Sequence, residues 1–237
     1  MRPLPVAILA GGLATRLHPI CAHIPKPLLP IAGRAFILHQ LELLRCNGIE
    51  RVVLCVGHLG EQIQALVGDG GKLGLAVDYS FDGGRLLGTG GALKHALPLL
   101  GDEFLVVNGD SYVPCSFPAV QSAYFAAGRP ALMAVLRNDN RWDRSNVVAR
   151  DGEVVEYDKR AWQPGMSHID FGVMVLSGQV FTRYGAAEVL DLADICRDLS
   201  LSGQLAAFEV TERFYEIGSV QGIADTEEFL SRKAQIA

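Results

Sequence analysis

No apolar run in this 237-residue chain approaches the roughly 18 residues that a membrane-spanning helix needs. Cysteine is scarce as well. Cys21, Cys46, Cys55, Cys115 and Cys196 form no CxxC pair and are odd in number, which excludes a complete disulfide framework and leaves a tetrahedral zinc site poorly supported. Basic residues are outnumbered, 21 against 26 acidic, giving a formal charge of -5 with no Lys/Arg cluster. A nucleic-acid partner is therefore not expected, and any phosphate-bearing ligand must be held by placed cations, backbone amides or a divalent metal. Internal repeats, low-complexity tracts and long linkers are missing too. What remains is an ordinary globular composition, 49% hydrophobic and 20% charged. At this length roughly 70–75% of the unfolded surface is buried on folding, so one domain needs no disulfide or structural metal. Met1 to Pro5 runs straight into a short apolar strand, too short for a secretory core, so a soluble, cytoplasmic protein in a reducing compartment is expected.

Short apolar runs alternate with segments of helical period through the first half. Val6 to Leu9, Arg51 to Val56, Ala76 to Tyr79, Phe104 to Asn108 and Ala131 to Leu136 read as strands, several apolar at consecutive positions as strands covered on both faces should be. Between them Ile37, Leu41 and Leu44, then Ile63, Leu66 and Val67, then Leu93, Leu97 and Leu100 mark three apolar helix faces. The alternation predicts an α/β fold with a mostly parallel sheet flanked by helices. From Asn146 onward the rhythm changes. Two short strands, Asn146 to Ala149 and Glu153 to Tyr157, flank an Asp-Gly turn, and a longer strand, Ile169 to Leu176, follows. Helical segments are expected near Gln179 to Tyr184 and Val189 to Leu201, then a strand over Leu205 to Glu209 and a closing helix from Val220. Residues 1–140 are expected to carry one part of the ligand site and 141–237 a small β-rich substrate subdomain, with the site in the crevice at the carboxyl ends of the parallel strands.

Two segments carry most of the chemistry. After the first strand, Leu9-Ala10-Gly11-Gly12 lets backbone approach a ligand and exposes amides to an anion, while Arg16 supplies a planar fork of donors. The plainer reading is a glycine turn beside a surface arginine. In Pro25-Lys26-Pro27 both proline φ values are fixed and Lys26 is pushed towards an extended backbone, so its ammonium loses little entropy on meeting an anion. Its alternative is a proline-rich loop with a solvated lysine. Neither a dinucleotide fingerprint nor a Walker loop is present, which disfavours a dinucleotide-dependent oxidoreductase.

Joined, the segments read LAGGLATRLHPICAHIPKPLLPIAGRAF, which resembles the signature LAGGxGTRLxPxTxxxPKPLxPxxGxP of the sugar-1-phosphate nucleotidylyltransferases. The resemblance implies the Rossmann-like, GT-A-like fold of that family and transfer of a nucleotidyl group from a nucleoside triphosphate to a sugar 1-phosphate, with Mg2+ as cofactor. It implies that Leu9, Ala10, Gly11 and Gly12 lie under the nucleotide, and that Arg16 and Lys26 bind its triphosphate as the catalytic pair. Leu87-Gly88-Thr89-Gly90 looks like the second glycine loop, so Gly88, Thr89 and Gly90, together with Gly57 and Asn108, are expected on the nucleotide. Val106-Val107-Asn108-Gly109-Asp110 looks like the strand ending in a metal-binding aspartate, and Tyr215-Glu216-Ile217-Gly218 like the segment holding the second metal carboxylate. Asp110 and Glu216 are thus the implied metal ligands. Gly109, Asp158, Lys159, Asp170 and Gly172 fall where the family meets the sugar phosphate.

Three departures stand out. Ala14 replaces a glycine, Asp170 an asparagine and Glu216 an aspartate. The pattern looks most like guanylyltransferases acting on D-glycero-D-manno-heptose or mannose 1-phosphate. A uridylyltransferase for N-acetylmuramate 1-phosphate is the alternative, and a nucleotide-sugar-binding regulatory protein without activity is another. His58 lies at a strand end facing the crevice, Trp142 and Trp162 flank the hairpin, and Cys46, Cys55 and Cys196 are expected to be inert core residues. Oligomeric state is not written in the sequence; a homodimer is compatible with a chain of this kind.

Overall fold

A computed structural model describes residues 2–12, 23–185 and 189–236. One nine-stranded sheet organises the chain. In spatial order it runs β5 (Ala76–Phe81), β4 (Arg51–Val56), β1 (Val6–Leu9), β6 (Glu103–Asn108), β11 (His168–Ser177), β8 (Ala131–Arg137), β12 (Leu205–Val210), β10 (Glu153–Tyr157) and β9 (Val147–Arg150). The pairs β5/β4, β4/β1, β1/β6 and β8/β12 are parallel, whereas β11 runs antiparallel to both β6 and β8. The strands after residue 140 therefore extend the first half's sheet instead of building a separate layer. Two small ladders, β2 (Pro30–Ile31) with β3 (Arg34–Ala35) and β7 (Ser111–Tyr112) with β13 (Tyr215–Glu216), lie outside it.

Consecutive apolar residues in β1, β4, β6 and β8 divide between two cores because strand side chains alternate faces. Val6, Ile8, Val52, Leu54, Leu105 and Val107 enter one core, under α1 (Phe36–Cys46), α2 (Gly60–Val67) and α4 (Phe117–Ala127). Ala7, Val53, Cys55, Phe104 and Val106 enter the other, under α3 (Gly88–Leu100) and α5 (Leu192–Leu201). A third, smaller cluster joins Ile31, Phe36, Tyr112, Ile217 and Leu230, seating α6 (Val220–Ile236) beside the β7/β13 ladder.

Several expectations are corrected. Leu66 is exposed although Ile63 and Val67 on the same helix are buried, so α2 presents a narrower apolar stripe than its sequence suggests. Cys46 is exposed at the last turn of α1, while Cys55 and Cys196 are buried as expected. The segment near Gln179 is one turn of 3-10 helix, Gly178–Phe181. Helix α4, which no apolar period announces, is capped by the Ser116 hydroxyl accepting the Ala119 N–H at 3.3 Å. Its apolar residues lie all round, Phe125 and Ala126 facing solvent while Val120 and Tyr124 are buried. No helix among the described residues is long and apolar enough to cross a membrane.

Candidate active site

The registers Leu9↔Cys55 and Leu9↔Asn108 bring the carboxyl ends of β4, β1 and β6 side by side. The chain leaving each end is tied to its neighbour: Ala10 N–H donates to the Cys55 carbonyl at 2.8 Å and Gly109 N–H to the Leu9 carbonyl at 3.0 Å. Side chains could not be added here. A Cβ on Gly109 would lie 2.6 Å from the Leu9 oxygen. One on Gly57 would lie 2.9 Å from the Gly11 oxygen and 3.0 Å from the Leu86 side chain, so this position admits no side chain either.

Above this floor opens a cavity of about 310 Å³. Of the expected residues, Leu9, Ala10, Gly11, Gly12, Lys26, Gly88, Thr89, Asn108, Gly109, Asp110 and Lys159 line it, joined by Pro27, Cys55, Asp82, Leu86 and Ala92. Arg16 and Ala14 lie outside the described residues. Gly57, Gly90, Asp158, Asp170, Gly172, Glu216 and His58 are not in the wall.

Lys26 and Asp110, 84 residues apart, meet in an ion pair at 2.9 Å. The backbone of Lys26 corrects the expectation of an extended residue: Pro25 is extended, and Lys26 opens a single 3-10 turn, Lys26–Leu28. Two hydrogen bonds, Leu28 N–H to the Pro25 carbonyl at 2.8 Å and Leu29 N–H to the Lys26 carbonyl at 3.0 Å, outweigh the usual preference of a residue preceding proline. The turn that carries Asp110 is held by Gln40 in α1, a buried residue that sequence reading overlooked. Its amide donates to the carbonyls of Asn108 at 2.9 Å and Ser111 at 2.7 Å, bracketing the turn. A glutamine beside Ile37, Leu41 and Leu44 on the buried side of α1 was the available signal.

The second glycine loop is committed differently from the expectation. Gly90 and Gly91 N–H groups at the start of α3 donate to the Leu190 carbonyl at 2.9 and 3.2 Å. The Thr89 hydroxyl accepts the Leu192 N–H at 2.8 Å and donates to Asp191 at 3.1 Å. These helix-start donors bind the chain before α5, and Gly90 packs against Ile195. Gly88, at φ +76°, touches the Leu190 oxygen where a Cβ would stand, 2.3 Å away. Gly88→Ala is expected to destabilise the fold by about 1–3 kcal/mol, read by urea unfolding, because alanine strains this backbone and must also displace residue 190.

The β-bulge of β11 between Asp170 and Met174 centres on Gly172 at φ +88°, facing the Asn108 amide. Asp170 accepts the Gly172 N–H at 2.9 Å and the Tyr157 hydroxyl, behind Lys159 rather than in the wall. Loss of hydration raises its pKa despite the neighbouring Lys159 charge and these hydrogen bonds. In the folded state the group then keeps its proton to higher pH than in the unfolded chain, so its contribution to stability falls as pH rises above the ordinary carboxyl range. Asp170→Asn does not titrate and retains the acceptor. The gain in stability from this change is expected to grow between pH 4 and pH 7 in parallel urea titrations. Asp158, by contrast, accepts the N–H groups of Ala161 and Arg160 at 2.8 and 2.7 Å, which hold its pKa down, and lies 3.4 Å from Arg197. It shapes the turn that carries Lys159 instead of meeting the cavity.

Hard oxygen donors suit a cation such as Mg2+, which takes one or two carboxylates and completes its shell with water and substrate phosphate. Asp110 fits that role. Glu216 stands at the register position of Ser111, and Ile217 N–H donates to the Asp110 carbonyl at 2.9 Å. Its own carboxylate, however, is turned to the Gly218 N–H and the Ser219 hydroxyl at the start of α6. As placed it caps a loop and buttresses Asp110 through the backbone, where a second metal ligand was expected. No group of three metal-binding side chains occurs among the described residues.

Residues 6–146 match the nucleotidyl transferase family model. A UTP–glucose-1-phosphate uridylyltransferase from Synechocystis sp. is 38% identical over 201 residues, 78% of this chain, and the match spans about half, 52%, of that relative. A D-glycero-alpha-D-manno-heptose 1-phosphate guanylyltransferase from Campylobacter jejuni is 28% identical over 213 residues, covering 89% of this chain and 93% of that protein. Among solved structures, HddC from Yersinia pseudotuberculosis, complexed with GMP-PN, superposes with a TM-score of 0.79 at 26% identity, covering 96% of this chain and 99% of that one.

Proposed function

The chain belongs to the nucleotidyl transferase family, and on that premise we propose that it joins a nucleoside triphosphate to a sugar 1-phosphate, releasing pyrophosphate and forming a nucleotide sugar. The supporting observation is one cavity that combines a bare glycine floor, two lysines from distant segments and a carboxylate. The sugar phosphate oxygen attacks the α-phosphorus. That oxygen is already nucleophilic, so no general base is required, and the protein's work is alignment and suppression of repulsion between two anions. Lys26 binds the α-phosphate, Lys159 holds the incoming sugar phosphate and Arg16 takes the leaving pyrophosphate. Asp110 would hold Mg2+, which when bound offsets negative charge on the phosphates. Asn108, Gly109 and the Gly11 and Gly12 amides support the nucleotide, while Gln40 and Glu216 fix the Asp110 turn.

GTP with D-glycero-D-manno-heptose 1-phosphate, or mannose 1-phosphate, is the preferred substrate pair. Near full-length overlap with the Campylobacter guanylyltransferase and with HddC supports this choice. The higher identity to the Synechocystis uridylyltransferase favours UTP as the second reading. Such substrates are held inside the cell, which supports a cytoplasmic location. The test is a matrix of nucleoside triphosphates against sugar 1-phosphates, scored as pyrophosphate released with Mg2+ present. Release only with a matched pair supports the assignment; no release with any pair, in protein that still binds nucleotide, leaves the regulatory alternative standing.

A further inference from the structure

Resting on the nucleotidyl-transfer reading, we infer that Arg160 is a positioning residue for the sugar 1-phosphate: through α5 it fixes where Lys159 stands relative to the second glycine loop. Lys159 is a cavity cation from the second half of the chain, carried by the turn that follows β10. An ammonium on a flexible four-carbon stem has no fixed place of its own. Its reach is set by the turn beneath it.

Within that turn Asp158 accepts the Arg160 and Ala161 N–H groups, which shapes the backbone locally. Its place in the molecule is decided by α5. Asp158 lies 3.4 Å from Arg197, and the Arg160 guanidinium meets both oxygens of Asp194, Nη1 and Nη2 each at 2.9 Å. Asp194 and Arg197, three residues apart, share one face of the helix. The residues on either side of Lys159 are therefore both anchored to α5, while Lys159 itself lines the cavity. The two pairs have opposite polarity. Sliding the turn by two residues would set Arg160 against Arg197 or Asp158 against Asp194, so like charges oppose any other register.

The start of α5 is in turn laced to the second glycine loop. Arg160 Nη2 also stands 3.5 Å from Asp191, the cap of α5, whose other oxygen accepts the Thr89 hydroxyl at 3.1 Å. Thr89 lines the cavity, and the Gly90 and Gly91 N–H groups beside it hold the Leu190 carbonyl. Asp191 thus joins the glycine loop to the residue next to Lys159. Arg160 is not in the cavity wall, and its side chain is 69% exposed. Exposed pairs of this kind add little to stability, and what a two-pronged grip on a carboxylate supplies is direction.

The experiment compares Arg160→Gln, Asp194→Asn and the double variant with the unaltered chain. The substrates are GTP and D-glycero-D-manno-heptose 1-phosphate, or the pair that releases pyrophosphate in the substrate matrix. Each single variant is expected to lower kcat/KM for the sugar 1-phosphate about tenfold, the scale of one weakened hydrogen bond to a charged group. Calorimetric affinity for the triphosphate should stay within about twofold and thermal unfolding within a few degrees, a separation of the two substrates that a residue serving the fold alone would not produce. The double variant should lose no more than about a further twofold, since both changes break one pair. An Arg160 that touched the sugar phosphate directly would leave Asp194→Asn near normal, and that result would overturn the inference. So would an unchanged kcat/KM in Arg160→Gln, an equal loss of triphosphate affinity, or losses that multiply in the double variant. Nucleotidyl transfer would stand in each of these cases, whereas no pyrophosphate from any pair would overturn both. Asp194→Asn leaves the Lys159 turn unaltered in sequence, so a failure of Arg160→Gln to fold does not remove the test.

Discussion

Lys26→Ala is expected to lower kcat/KM for pyrophosphate release by about 10²–10³-fold, the usual effect of deleting one preorganised group that stabilises charge in a transition state. The fold should survive. Lys26 and Asp110 retain 15% and 31% side-chain exposure, so removing the ammonium strands no buried charge, and pairs of this kind contribute about 1 kcal/mol or less. Nucleotide affinity should weaken together with turnover, because in the proposed mechanism the lysine meets phosphate in both ground and transition states. Thermal unfolding and calorimetric binding on the same preparation separate these effects. Turnover within a few-fold of the unaltered enzyme would sink the role assigned to Lys26.

Asp110→Ala is expected to cost several kcal/mol of transition-state stabilisation, or about 10²–10⁴-fold in rate, yet with the opposite sign on binding. In the present geometry the carboxylate shares the Lys26 ammonium at 2.9 Å. Without it the lysine is left entirely to the nucleotide, so triphosphate measured without divalent cation should bind at least as tightly as before. Saturation of the rate by Mg2+ should be lost at the same time. A variant weak in both binding and turnover would instead mean that the carboxylate acts by holding Lys26 in place. Combining the two substitutions should cost far less than the sum of the single losses, since groups that act as one unit are not additive.

How far this was visible beforehand differs along the chain. β1, β4 and β10 have the bounds expected from the sequence, with glycines following β1 and β4 and an Asp-Gly turn preceding β10. Helix α4 was not, because apolar residues on every side of Phe117–Ala127 erase the period that would reveal it. The glycine-lysine-aspartate skeleton of the cavity was legible in its motifs. Asp82 was not, since an aspartate before two glycines reads as any turn former, and only the fold brings it beside Gly11. Asp158 and Glu216 show the converse. Both stand where a functional carboxylate was expected, yet Glu216 accepts N–H and hydroxyl groups two and three residues on, and Asp158 divides its oxygens between two local N–H groups and Arg197.

By itself the sequence determined the alternation of strands and helices, the burial of strands on both faces and the side-chain-free backbone at Gly11 and Gly12, because each of these follows from local period and side-chain size. Tertiary structure decided which charges meet. The Lys26–Asp110 pair, the grip of Gln40 on the Asn108–Ser111 turn and the engagement of Gly90 and Thr89 with residues 190–192 all depend on strand order and register across tens of residues. Hydrogen bonds and ion pairs fall away within about an ångström of misplacement and a few tens of degrees of misdirection, so their partners are chosen only when the packed sheet has set every distance.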